Sequence, residues 1–373
     1  MNSMIPLVNI VAQYESIKDE MDTAIAEVIE SGAFIRGPAL DEFEHSFAEF
    51  HGGGYALGLG SGTDALHMAV RSFGISEGDE IVTVPNTWIS TAFSASYVGA
   101  RPIFVDIDPE TYQMNPLALE RVLTDRTRAI IPVHMFGHPA PMDEIMEIAR
   151  ANNLRVIEDV AQAPLAKVSG RLTGTIGDIG CYSFYPSKNL GCYGDGGAIL
   201  TTDIETAEKV RVLANYGQTH PFNHEKIGWN SRLDTLQAAV LKTKLRYLPQ
   251  WTHRRRQIAA IYSDFLDAER IKLPREGLGV EAVYHLYVVQ VENRDQCVEF
   301  LRQKGIMAQV HYPLSIHTQP CYLELGYNQG DFPVSEQLAR RSLSLPIYPE
   351  MTESEIERVV TALNHFVGSN SPS

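Results

Sequence analysis

Lys188 is the one lysine in the stretch Gly180 to Thr201, GCYSFYPSKNLGCYGDGGAILT, where it lies between two apolar runs. Lysine is normally exposed and solvated. In an apolar setting its pKa falls, and the free amine that results is the form that attacks a carbonyl to make a Schiff base. Four glycines follow it, Gly191, Gly194, Gly196 and Gly197, and their bare backbone would let a flat bound ring approach closely. Upstream, the apolar run Arg155 to Asp159 ends in a carboxylate, at the strand end where open α/β sheets bind ligands. There Asp159 would hold a charge-assisted hydrogen bond to a pyridinium nitrogen, keeping the ring protonated and able to accept carbanion electrons.

A third group concerns phosphate. Gly60-Ser61-Gly62-Thr63-Asp64-Ala65-Leu66 leads from a strand pattern through small residues into a helix pattern. Free amides and the positive dipole end make such a turn an anion site, although Ser, Thr and Asp are equally routine helix caps. Ser183 offers a further hydroxyl, and Trp88, just past the run Ile81 to Val84, offers a ring that can stack on a heterocycle. His134-x-x-x-His138 has the spacing of two metal ligands on one helix, but it follows a strand pattern and contains Gly137. Both histidines therefore read as loop residues, and no metal site is expected. Cys192 reads as packing, since no base accompanies it.

The elements that must position these groups are legible from periodicity. Ile17, Met21, Ile25 and Val28, then Leu40, Phe43 and Phe47, recur at helical spacing, so the chain opens with two amphipathic helices parted at Gly37-Pro38. Short apolar runs then alternate with helical patterns: Ala56 to Gly58, Ile81 to Val84, Ile103 to Val105, Ala129 to Val133 and Arg155 to Ile157. This is an α/β pattern with a mostly parallel sheet covered on both faces. Cys181 to Phe184 and Ala198 to Thr201 lack room for a crossover helix and should pair antiparallel or through loops, giving about seven strands. Leu233 to Ala268 reads as one long helix kinked at Pro249. Beyond it Ala282 to Val291, Arg294 to Lys304, Ala308 to Tyr312, Val334 to Leu343 and Glu353 to Val367 alternate strand and helix. The expected division is a large α/β domain over residues 1–248 and a smaller α+β domain over 249–373, ending in a frayed tail after Val367.

With 373 residues the chain is long enough for two cores. A formal charge of −15 excludes the broad basic surface that nucleic acid or an anionic membrane requires, and the run Arg254-Arg255-Arg256 reads as a solvated helix face. No apolar run approaches the roughly 18 residues needed to span a bilayer, and no basic-then-apolar leader opens the sequence, so a cytoplasmic location is expected. The four scattered cysteines form no C-x-x-C pair and read as free thiols.

Taken together, SGTDAL, VIEDVAQAP, SFYPSKNLG followed by GDGGA, GWNSRLDTLQAAVL, and SLPIYPEM resemble the sugar aminotransferases of the DegT/DnrJ/EryC1/StrS family throughout the chain. The resemblance implies a fold-type-I enzyme with pyridoxal phosphate, which becomes pyridoxamine phosphate during turnover. It implies L-glutamate as amino donor, a nucleotide-linked keto sugar as acceptor, and a homodimer with shared active sites. Carried over by motif, Lys188 matches the Schiff-base lysine, Asp159 the pyridine partner, and Gln162 the residue that hydrogen-bonds the ring hydroxyl. Gly62, Thr63 and Ser183 match the phosphate binders, and Asn230 the asparagine reaching the phosphate from the neighbouring subunit. Trp88 stands where Tyr or Phe is commoner.

The resemblance extends to regiochemistry. An H-Y-P segment followed by H-x-Q-P, His311 to Pro320, is similar to the family's 3-keto branch, with His311, Tyr312 and His317 over the cofactor as substrate contacts. Amination at C3 of a nucleotide-linked 3-keto hexose is therefore the expected reaction. A 4-keto sugar, or an inosose or other keto cyclitol, is the alternative acceptor, and a non-catalytic cofactor-binding sensor is the alternative class. Lys188 opposes a dehydratase, because relatives with that activity carry histidine in its place.

Overall fold

The computed structural model describes residues 4–369; the last four residues of the tail read as frayed lie outside them, while Gly368 and Ser369 complete the final helix. Seven strands form the central sheet: β1 (Tyr55–Leu59), β2 (Glu80–Thr83), β3 (Arg101–Phe104), β4 (Thr127–Ile130), β5 (Arg155–Asp159), β6 (Ile179–Ser183) and β7 (Gly197–Thr201). Their order is β1-β7-β6-β5-β4-β2-β3. Six run in one direction and β7 opposes them, pairing antiparallel with β1 and β6. The α/β class and the mostly parallel seven-stranded sheet are as the periodicity implies. β6 and β7 pair antiparallel with each other, as expected, and β6 also pairs parallel with β5 across Ile157–Ile179 and Asp159–Cys181. A helix is not needed for that return, because a small hairpin of Lys167–Val168 and Arg171–Leu172 fills the connection.

The N-terminal part supplies three helices rather than two: α1 (Ile10–Ser16), α2 (Lys18–Ser31) and α3 (Pro38–Phe50). Ile17 lies outside helical φ/ψ and separates the first two. The crossovers from β1 to β5 are α4 (Gly62–Ser72), α5 (Ser90–Ser96), α6 (Pro116–Val122) and α7 (Met142–Ala151); α8 (Ile204–Ala214) follows β7. The expected long helix is broken into α9 (Thr235–Leu245) and α10 (Leu248–Phe265). Pro249 sits in the first turn of α10, where its missing N–H has no intrahelical partner to lose, so it starts a helix instead of kinking one.

Along α10 the packing changes hands. Leu248 and Trp251 join Phe43, Phe47, Tyr182 and Phe184, whereas Ile258 and Tyr262 join a second core with Tyr287, Leu343, Val359 and Leu363. Ile5 enters that second core too, its amide donating to Gly305 O at 2.8 Å. The C-terminal part is built on α11 (Arg294–Gln303), α12 (Pro333–Arg341), α13 (Glu353–Ser369) and the antiparallel pair β8 (Tyr287–Gln290) and β9 (Ser342–Leu345). The strand expected at Ala308 to Tyr312 reduces to a single bridge, Gln309 to Ser344.

The arginine run is not a solvated face. Arg255 is buried, and its Nη1 donates to the carbonyls of Ile347 at 2.8 Å, Tyr284 at 3.2 Å and His285 at 3.4 Å. Arg254 reaches Met351 O and Glu353, and Arg256 reaches Ala282 O and Glu276. Periodicity placed the run on a helix; the free carbonyls it meets belong to segments distant in sequence.

Candidate active site

Because β1, β2, β4, β5 and β6 are parallel, their C-terminal ends open on one edge of the sheet, and β7 begins at that same edge. A cavity of about 420 Å³ lies there. Lys188, Asp159, Gln162, Gly62, Thr63 and Ser183 all line it, with Trp88, His311 and Tyr312. The sequence thus brings nine of its candidate residues into one space.

The loop that carries Lys188 is pinned from below. Lys188 N donates to Tyr185 O at 2.8 Å, and Cys192 N returns to Phe184 O at 2.8 Å. Leu190 and Cys192 are buried, and the fully buried Lys244 donates through Nζ to Gly191 O at 2.7 Å. Cys192 therefore packs, as expected. Of the four glycines only Gly194 and Gly196 lack a backbone neighbour at closest approach. Gly191 abuts Pro186 O and Gly197 abuts Ser61 O, where a Cβ would stand 2.4 Å and 2.3 Å away, so these two accommodate the protein's own backbone rather than a bound ring.

Among the described residues, the Lys188 amine has no hydrogen-bond or ion-pair partner. Burial lowers its pKa to about 8, against the pull of Asp159 in the opposite direction. Asp159 is buried, accepting from Thr91 Oγ1 at 2.8 Å and from Ala161 N at 3.1 Å. Burial pushes its carboxyl above the ordinary aspartate range, and Thr91, Ala161, Lys188 and His134 offset only part of that. Its neighbour Glu158 points the other way along the pleat and is fully buried. It accepts from the amides of Gly174, Ile176 and Gly177 at 2.8, 2.7 and 2.6 Å and lies 3.0 Å from His134 Nε2. His134 Nδ1 accepts from Ala140 N at 2.9 Å, and His138 Nδ1 lies 2.8 Å from Pro139 O, so the two histidines face different partners.

At the first turn of α4, Ser61 caps Asp64 N at 3.1 Å, while the amides of Gly62 and Thr63 have no acceptor among the described residues. A Cβ on Gly62 would fall 2.6 Å from Ser183 Cβ, so glycine is required for helix and strand edge to meet. Thr63 Oγ1 lies 2.8 Å from Ser90 Oγ. Across the cavity, Gln162 Oε1 accepts from Phe136 N at 2.7 Å and its Nε2 donates to Tyr312 OH at 3.3 Å. Tyr312 also meets Trp88, ring centroids 5.6 Å apart. Ile316 N donates to Pro85 O at 2.8 Å, which draws the His311 to Ile316 segment over the sheet edge.

Two candidates lie outside the cavity. Asn230 is exposed and bridges Asn215. His317 is buried outside the cavity lining, with Nε2 3.2 Å from Glu336 Oε1 and its ring against Phe332. Sequence reasoning missed Thr91, which completes the Asp159 contacts, and His285, which lines the cavity beside Lys188. The polar spacing Thr87, Ser90 and Thr91 after a strand end was the available signal for the first. Nothing local marks His285.

An unpartnered amine of lowered pKa, a buried carboxylate, a free helix N-terminus and an aromatic wall in one cavity fit pyridoxal phosphate: aldehyde, ring nitrogen, phosphate and ring face each have a chemically matched group. No helix among the described residues is long and apolar enough to cross a membrane.

The sequence pattern of the DegT/DnrJ/EryC1/StrS aminotransferase family matches residues 15–364. The dTDP-3-amino-3,4,6-trideoxy-alpha-D-glucose transaminase of Streptomyces venezuelae is 41% identical over 363 residues, 97% of this chain and 96% of that one. The UDP-N-acetyl-3-dehydro-alpha-D-glucosamine 3-aminotransferase of Acidithiobacillus ferrooxidans is 40% identical over 362 residues, 97% and 98% of the two chains. Among solved structures, S. venezuelae DesV in complex with a ketimine intermediate superposes with a TM-score of 0.97 at 40% identity, covering 100% of both chains.

Proposed function

This chain belongs to the DegT/DnrJ/EryC1/StrS aminotransferase family, and from that premise we propose that it moves the amino group of L-glutamate to C3 of a nucleotide-linked 3-keto hexose. It is a transaminase whose cofactor is pyridoxal phosphate. The observation that carries the reading is the unpartnered Lys188 amine sharing its cavity with Asp159 and the open end of α4. C3 is favoured over C4 because the two relatives described above carry 3-amino or 3-aminotransferase names.

When bound, the cofactor supplies an electron sink that makes the amino carbon acidic and carries the nitrogen between substrates. Lys188 would hold it covalently through its amine and, when free, would take up and return the proton of the donor Cα, work suited to an amine whose pKa burial lowers to about 8. Asp159 keeps the proton on the ring nitrogen. The Gly62 and Thr63 amides and the Ser183 hydroxyl hold the phosphate, with Trp88 against the ring face and Gln162 beside the ring hydroxyl. His311 and Tyr312 form the wall that faces the sugar. Binding of the remote nucleotide contributes energy that orients the keto carbon.

A homodimer completes the site in this reading, with the exposed Asn230 donating to the phosphate in the partner's cavity. The decisive experiment offers the pyridoxamine form a panel of nucleotide-linked 3-keto and 4-keto sugars, together with a keto cyclitol, and locates nitrogen in the product by NMR. Nitrogen at C4, or turnover of the cyclitol alone, rejects the proposed acceptor.

A further inference from the structure

Asn189 follows Lys188 directly and reaches across to the segment before β8. Its Nδ2 donates to Val283 O at 3.2 Å, and its Oδ1 stands 3.2 Å from His285 Nδ1. A carbonyl can only accept, so the Asn189 nitrogen must face Val283 and its oxygen must face His285. The proton of the neutral imidazole therefore sits on Nδ1, and Nε2 keeps its lone pair. His285 lines the cavity with Lys188, and Nε2, the ring nitrogen not engaged by Asn189, has no hydrogen-bond partner among the described residues. The backbone here is held firmly: Arg255 donates to His285 O, Val283 N to Gly137 O at 2.9 Å, and Leu286 N to Phe136 O at 3.2 Å. Burial first, then the positive charges of Lys188, Arg255 and His311, keep His285 well below the ordinary histidine pKa. It is a neutral acceptor.

We propose that His285 is a positioning residue for Lys188: Nε2 accepts a hydrogen bond from the displaced amine and aims the amine's own lone pair at the carbon that loses its proton. A carboxylate in that place would hold the lysine as ammonium, whereas a neutral imidazole accepts without so strong a bias toward charge. Asn189 acts one step further back, fixing the tautomer. The residue after the lysine thus sets the state of the group that orients the lysine. This rests on the reading of Lys188 as the proton carrier.

His285→Gln and His285→Asn separate the two halves of the imidazole. Glutamine returns an acceptor near the place of Nε2; asparagine returns a donor near Nδ1 and leaves the acceptor's place empty. In single turnovers of the loaded enzyme, His285→Asn should slow the glutamate half-reaction about 100-fold at unchanged glutamate affinity, with a larger effect of deuterium at Cα, and His285→Gln should recover to within about tenfold. A second readout needs no turnover. Nitrogen-15 NMR of histidine-labelled protein, with and without cofactor, should show His285 protonated at Nδ1 and bare at Nε2 from about pH 6 to about pH 8; the signal is identified by its loss in His285→Gln. An Nε2-protonated or charged ring, or a His285→Asn enzyme with wild-type rate and isotope effect, overturns the proposal. If His285→Asn does not fold, Asn189→Leu carries the test. It should mix the tautomers and slow the same step, and an unchanged tautomer and rate overturn the proposal. Full turnover by Lys188→Ala would instead reject the reading of Lys188, which an inert His285→Asn change leaves intact.

Discussion

Thr91 Oγ1 donates to Asp159 Oδ2 at 2.8 Å, and Ala161 N reaches the other carboxylate oxygen at 3.1 Å, so the carboxylate meets two neutral donors within hydrogen-bond distance. Burial nevertheless wins, and the carboxyl is held above its ordinary range. An acid raised on folding costs stability that is absent below its unfolded pKa, grows as pH rises, and is full above its folded pKa. Asp159→Asn should therefore raise the Tm of the cofactor-free protein at about pH 7 by about 1 °C, the shift that roughly 1 kcal/mol gives in a chain of 373 residues. The gain should shrink near pH 4. The same change should slow the glutamate half-reaction about 10²- to 10³-fold, since an amide cannot hold the ring-nitrogen charge. Calorimetry and stopped-flow absorbance check the two halves, and a near-wild-type half-reaction counts against the ring-nitrogen assignment.

Lys188 is shifted the opposite way for a base, down to about 8 by burial with Asp159 opposing. Only the neutral amine captures an aldehyde, so the rate at which cofactor-free protein takes up pyridoxal phosphate should climb about tenfold per pH unit below that value and level off above it. An inflection at the ordinary lysine pKa would reject the shift. On stability the sign is also fixed: the cost is full below the folded pKa and is relieved as pH rises from about 8 through the ordinary lysine value, so Lys188→Met should stabilise the cofactor-free protein more at pH 7 than at pH 10.

Arg255→Met should destabilise the chain by about 3 kcal/mol in urea unfolding, because three carbonyls lose a charged donor inside the protein. Arg254→Met removes a partly exposed guanidinium paired with an exposed Glu353, and should cost under about 1 kcal/mol. Equal losses would mean that burial does not distinguish the two.

Asn230 lies outside the cavity of its own chain, and the proposed homodimer places its amide on the partner's phosphate. Mixing inactive Lys188→Ala with inactive Asn230→Ala subunits should then restore about one quarter of wild-type activity at full random exchange, through the hybrid site that inherits neither change. Verified exchange without recovery would show that each chain builds its site alone.

What was legible in the sequence was what local spacing governs. Asp159 ends an apolar run, Lys188 interrupts two, and Gly62 opens a helix after small residues; each of these places follows from a segment of a few residues. The failures share a cause in partners far along the chain. Arg255 reads as a solvated cation until Tyr284 and Ile347 present carbonyls to it, and the Glu336 partner of His317 comes from α12, nineteen residues on. The Ala308 to Tyr312 run has strand composition, but β9 pairs with β8 and leaves Gln309 one bridge. Thr91 and His285 matter through Asp159 and Lys188, and that proximity exists only once β2, β5 and the Val283 to Leu286 segment converge.

The last two residues of β5 are both acids, and the pleat turns them to opposite sides: Asp159 to the cavity, Glu158 to His134 and the Gly174 to Gly177 amides. Alternation makes this an arrangement of counting rather than of composition, since a slip of one residue would exchange the two. Glu158 would then reach into the cavity with a longer arm, and Asp159 would fall short of amides set for glutamate. Single-residue insertions and deletions between Arg155 and Asp159 should therefore be far less tolerated than exchanges among Val156, Ile157 and other apolar types. The strand should bear a change of spelling but not of length.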